Sequence, residues 1–299
     1  MIENVNDSTS VLQDFPRYIG VGSVNILAVN PDNKKLASLG WTIQDGAQEP
    51  QYVYVNEQGK KSARVRFMLQ LEEIDTKPIV PIDFWISEDL ILSQPKDGEE
   101  QKCRVIDYFC RTANVTKAEL KSHAIPTKDN GDKVAISPDY RICHRGEESI
   151  LLFLKKWLNM DDFEIFRAGG WVPAEKPGKL SIDNWKSLCN GDVSEVNDII
   201  AAKPDNRCKV IFGVRTEDDN KMYQTFFPFF FLANPVRPGA GGEYSQVKKK
   251  LDYFYKNPRN ASQLFEAYPV HEYRVKPTEV MESDDSSIFP DSLDDLPAF

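Results

Sequence analysis

The chain has 299 residues, 41% hydrophobic and 28% charged, with 46 acidic against 37 basic residues. A chain of this length buries a core of its own, which excludes a small scaffold dependent on disulfide staples. Its densest apolar run, FFPFFFLA at 226–233, is far shorter than the roughly 20 residues of a membrane-spanning helix.

Residues 1–16 are polar and acidic, lack the basic and apolar blocks of a signal peptide, and are expected to form a flexible lead. A single domain is expected over 17–276. YIGVGSVNILAVN at 18–30 reads as a strand, with Gly20 and Gly22 marking a bulge or a close backbone approach. Asn30-Pro31 ends it, and DNKKLASLG suits a short helix stopped by Gly40. QYVYVNE at 51–57 turns at EQGKK into SARVRFMLQLEE at 62–73, which predicts a hairpin rimmed by Lys60, Lys61, Arg64 and Arg66. IVPIDFWI at 79–86 and KCRVIDYFCRTANVT at 102–116 are two further strand candidates.

Over 146–159, Ile150, Leu151, Leu154, Trp157 and Leu158 recur at helical spacing. Ser181 is expected to cap a short helix through Ile182, Trp185 and Leu188. Asn190-Gly191 breaks it, and a helix resumes over 194–202 until Pro204. KVIFGVRTEDDNKMYQTFFPFFFLA at 209–233 is the clearest hairpin, and Pro228 marks its second arm as an edge or a bulge. A flexible loop is expected at 235–243 and a helix at 245–256 with Val247, Leu251 and Phe254 on one face. Five to seven strands with a few helices predict a β-rich α+β fold, either an OB-like barrel with helical insertions or a sandwich.

The end of the chain differs in kind. Seven of the 46 acids lie in 277–299, with no Lys or Arg, which leaves 39 acids against all 37 bases in the rest. The body is nearly neutral, and the acidic, core-poor tail is expected to be disordered.

No P-loop, G-x-S-x-G, H-E-x-x-H or paired C-x-x-C is present, so no enzyme chemistry and no cofactor are expected. The five cysteines are odd in number and irregularly spaced, as reduced thiols would be. Cys103, Cys110, Cys143 and His144 make a poor zinc set, because C-x6-C is too wide and adjacent residues on a strand point to opposite faces. Asp83, Glu88 and Asp89 are carboxylates of a nuclease type with nothing to fix their geometry.

Aromatic and basic residues do share strands. Trp85, Tyr108, Arg111, Tyr140, Arg141, Arg215 and Tyr223, with the basic rim and Lys248, Lys249 and Lys250, form the set an unpaired nucleic-acid strand needs. Exposed rings stack on bases for about 1–3 kcal/mol each, and cations neutralise phosphates.

The tail ends Asp294, Asp295, Leu296, Pro297, Ala298, Phe299. Acids, an apolar residue, Pro and a last Phe resemble the C-terminal tip of bacterial single-stranded DNA-binding proteins, with Ala298 inserted between Pro and Phe. In the body, YIGVGSVNILAVNP, VPIDFWI, RVIDYFCRTANVT, AIPTKDNG, DYR…RGEE and VIFGVRTEDDNKMYQTFF resemble, in order, a family of single-stranded DNA-binding proteins of crAss-like phages. The resemblance runs over about 18–274. It implies an OB-like fold and a role in coating phage DNA during replication or recombination in the cytoplasm of the bacterial host. It also implies that Asp294, Asp295, Leu296, Pro297 and Phe299 recruit replication or recombination proteins. A virion or assembly protein using a β-rich body for protein contacts is the competing expectation.

Overall fold

The computed structural model describes residues 17–72, 74–126, 133–160, 164–167, 170–173, 178–216, 222–233, 247 and 264–266. The architecture is β-rich, built on antiparallel sheets with a few short helices. It starts with β1 (Arg17–Val29), followed by α1 (Asn33–Ser38), which Asp32 caps by accepting from the Lys35 amide at 2.6 Å. β2 (Val53–Val55) and β3 (Lys61–Leu71) form the expected hairpin, and β4 (Ile79–Ser87) lies along the other long side of β3.

One expected strand proves to be two. The run 102–116 folds as β5 (Lys102–Ile106) and β6 (Thr112–Thr116), paired antiparallel. Between them the Asp107 carboxylate accepts the amides of Phe109 at 3.0 Å and Arg111 at 2.9 Å, and Cys110 turns through φ +59°. An Asp that ties amides two and four residues on supplies a turn where hydrophobic alternation shows none. α2 (Lys117–Ser122) follows, closed by a capping box in which Thr116 and Glu119 bond each other's amides.

β7 (Ala124–Pro126) pairs with β8 (Lys133–Ala135), and β9 (Arg141–Ile142) pairs with β5. α3 (Glu147–Trp157) matches the helix expected there, and β10 (Glu164–Arg167) pairs with β11 (Gly170–Pro173). α4 (Trp185–Cys189) begins later than expected: Asn184, not Ser181, caps it by accepting from Ser187 N at 3.1 Å, while Ser181 bonds Asp183. α5 (Ser194–Ala201), β12 (Cys208–Thr216), β13 (Met222–Ala233) and β14 (Leu264–Glu266) complete the described elements. The segments 235–243 and 245–256 lie outside the described residues, apart from a buried Val247.

The main sheet runs β13-β12-β1-β3-β2, with β4 on the far side of β3 and β14 parallel to the start of β1. Gly22 permits this packing, since a Cβ there would stand 2.5 Å from Leu71 Cδ2 and 2.9 Å from Phe212 Cε2. Pro228 sits on the terminal strand and in a bulge: Val210 pairs with Phe231 and Phe212 with Phe226, so residues 227–230 face Ile211 alone. The Ser149 hydroxyl of α3 donates to the freed Pro228 carbonyl.

The concave side of the sheet is filled by α3. Phe153 lies 5.1 Å from both Phe67 and Phe231, and Phe84 lies 5.2 Å from Phe226. Burying each such ring stabilises the fold by about 1.5–3 kcal/mol. β4 and β13 therefore meet through phenylalanine rings with α3 beside them, and among the described residues no ladder joins them into a closed barrel.

Candidate nucleic-acid interface

Alternation along β3 sends Ala63, Val65, Phe67 and Leu69 into the core and leaves Arg64 and Arg66 on the other face. On β4, Ile82, Phe84 and Ile86 point inward, while Asp83 and Trp85 share the outer face. The register sets Arg64 opposite Trp85 and Arg66 opposite Asp83, and β2 brings Tyr54 opposite Ser62.

The result is a ring cluster around one guanidinium. Arg64 Cζ lies 5.7 Å from the Tyr52 ring and 5.9 Å from each of the Tyr54 and Trp85 rings. Tyr54 and Trp85 are 5.2 Å apart. Trp85 is 37% exposed, whereas Arg64 is only 5% exposed and donates to the Gln51 carbonyl at 3.0 Å. Arg64 thus supports the rings from beneath and is not a rim cation as expected. The Tyr52 hydroxyl donates to the Pro31 carbonyl at 2.8 Å. Burial pushes its pKa up to about 12, although Arg66 and Arg64 pull the other way.

Four of the other expected cations hold carboxylates. Lys60 meets Asp89 at 3.0 Å, and Arg66 grips Asp83 through two bonds of 2.7 Å. Arg111 binds Asp107, and Arg141 binds the fully buried Glu147. Lys61 donates to the Asn190 side chain at 2.8 Å. A guanidinium already paired contributes little to counterion release from a phosphate backbone, so the local balance favours stacking over charge.

A second aromatic group stands on the β5–β6 turn. Tyr108 is exposed, and the Phe109 ring lies 5.0 Å from Arg111 Cζ and 5.9 Å from Lys179 Nζ. Tyr140 is nearby, and its hydroxyl pKa is raised by burial and then by Asp107. Arg215 and Tyr223 are register partners across the β12–β13 hairpin. Lys248, Lys249, Lys250 and the tail residues Asp294, Asp295, Leu296, Pro297 and Phe299 lie outside the described residues.

The sequence reading missed Tyr52, Tyr54 and Lys179. Tyr52 and Tyr54 are two apart and in phase with Arg64 once the hairpin is registered, so their signal was available. Lys179 carried none, because it is brought in only when Leu180 N bonds the Tyr108 carbonyl at 2.7 Å.

Cys103, Cys110 and Cys143 are all buried as thiols. Among the described residues no cluster of three or more His, Cys, Asp or Glu side chains is placed to hold a metal ion. No described helix is long and apolar enough to cross a membrane. No family model, curated protein or solved structure matches the chain.

Proposed function

We propose that this protein binds unpaired nucleic acid without sequence preference, by stacking bases on the outer face of the main sheet at Trp85 and Tyr54. The observation that carries this reading is the Arg64-centred ring cluster. The inner face of β3 and β4 has a packed core to fill, whereas the outer-face cluster leaves Trp85 37% exposed, with ring surface open for a further stack. Bases expose both π faces once unpaired, and a tryptophan fixed from below meets them without first being ordered. In this reading the curled sheet is an OB-like barrel left open beside α3, and the protein coats phage single-stranded DNA during replication or recombination. The 277–299 tail would recruit replication partners through its acids and last Phe.

The test is fluorescence. Of the tryptophans with described side chains, Trp157 and Trp185 are buried, Trp41 is partly covered and Trp85 is exposed. Oligothymidine should quench the wild-type emission, and Trp85→Phe should remove most of the quench. Trp85→Ala, which removes the ring altogether, should lower affinity by about 1–3 kcal/mol, the loss of one stacked base. Equal affinity for duplex and single strand at low salt would refute the reading and return the outer face to protein contacts.

A further inference from the structure

Lys60, Arg66, Arg111 and Arg141 are each held by a carboxylate, so a strand lying across Trp85 meets these cations already paired. Arg145 is different. It is exposed, and among the described residues its side chain has no hydrogen-bond or ion-pair partner.

Its backbone is fixed tightly beside β4. Ser87 N donates to the Arg145 carbonyl at 3.2 Å, and Arg145 N donates to the Asp89 carbonyl at 2.8 Å. The next residue, Gly146, lies against the Trp85 carbonyl so closely that a Cβ would stand 2.1 Å from it. The same segment reaches the second aromatic group. Cys143 N donates to the Arg104 carbonyl at 2.7 Å, Ile142 pairs with Val105, and Arg141 pairs with Ile106 at the end of β5, two residues before Tyr108. Residues 141–145 therefore stitch the strand carrying Trp85 to the strand leading into Tyr108. Four residues of extended backbone cover about 13 Å.

We propose that an unpaired strand bound at Trp85 continues along 141–145 to Tyr108, with Arg145 holding a phosphate between the two aromatic platforms. This rests on the function proposed above and adds to it a path and a contact. A paired arginine must surrender a carboxylate to take a phosphate, whereas Arg145 gives up only water.

Three variants test it against the wild type by oligothymidine titration across a salt series. Arg145→Gln should lower the steepness of log K against log salt by about 0.7, the loss of one phosphate contact. Lys34→Gln, which removes the same charge from exposed α1, should leave the steepness unchanged. Tyr108→Leu should weaken an oligomer of about 15 nucleotides several-fold and leave one of about 4 nucleotides, read by Trp85 quenching, unaffected; both lengths fall within the usual range for such sites. Wild-type binding with an unchanged slope in Arg145→Gln overturns the path while leaving the Trp85 site standing. An equal fall in Lys34→Gln also overturns it, because the effect is then net charge. Absence of any wild-type binding ends both readings.

Discussion

Gly146→Ala is the substitution whose effect the structure defines most sharply. Gly146 is the N-cap of α3 and adopts φ +82°. An alanine Cβ would stand 2.1 Å from the Trp85 carbonyl oxygen, 2.8 Å from Ile86 Cγ2 and 3.0 Å from Ile86 Cα. Two costs combine. Placing a Cβ in the left-handed region costs roughly 1–2 kcal/mol. The overlap is with backbone, so no rotamer relieves it and α3 must move off β4, which adds about 1–3 kcal/mol as overpacking does. Gly98→Ala separates the two, since Gly98 has φ +84° with nothing within 4 Å of its would-be Cβ. Urea unfolding should therefore show Gly98→Ala down by roughly 1–2 kcal/mol and Gly146→Ala by about 2–5 kcal/mol. Under conditions where it remains folded, Gly146→Ala should also lose oligothymidine quenching, because the clash bears directly on Trp85. If the two variants unfold within about 0.5 kcal/mol of each other, the close packing of α3 on β4 is wrong.

Two further outcomes are expected. Asp83→Asn removes the carboxylate that grips Arg66 two residues from Trp85; single-strand affinity at low salt should rise, and the salt slope should steepen by up to about 0.7, as one phosphate contact is gained. An unchanged slope in a salt-series titration would mean that no phosphate passes over Arg66. The thiols of Cys143 and Cys189 are pushed from 9.0 to about 12, by burial first and then by Glu147 and Glu148 for Cys143 and by Glu88 and Glu147 for Cys189. The folded state holds these protons after the unfolded chain has released them, so the stability is intact below pH 9 and is lost as pH rises towards 12. Urea midpoints should fall above pH 9, and the fall should be smaller in a Cys143→Ala, Cys189→Ala double variant.

Much of the main sheet was legible because its signals are local. Alternation gives β2, β3 and β4, helical spacing gives α3, and Pro228 can donate to no ladder and so falls at an edge bulge. The turn at Asp107 was not legible, since Val105, Ile106, Tyr108 and Phe109 continue an apolar run through it. What breaks that run is one carboxylate accepting two amides. The T-x-x-E of Thr116 and Glu119 was a usable sign of α2 that the strand reading overran. For the site, Arg64 and Arg66 read alike in sequence. Only the register shows that one lies under three rings and the other against Asp83. The pairs Arg104–Glu148 and Arg141–Glu147 join β5 and β9 to the start of α3, and no sequence pattern announces a partner brought by tertiary packing.

Those pairs bear on selectivity if the proposed function holds. A duplex offers a protein chiefly its phosphates, with its bases already stacked on one another, whereas a single strand offers phosphates and unsatisfied π faces together. A surface rich in unpaired cations would bind both, and the duplex more strongly for its doubled charge density. Carboxylates at Asp83, Asp89, Asp107 and Glu147 cancel the neighbouring cations, which weakens the one attraction a duplex can exploit and leaves the rings at Trp85, Tyr54 and Tyr108 for the ligand that can use them. Discrimination would then come from an attraction withheld as much as from one supplied, and the acids set among the aromatic residues would be part of the recognition surface.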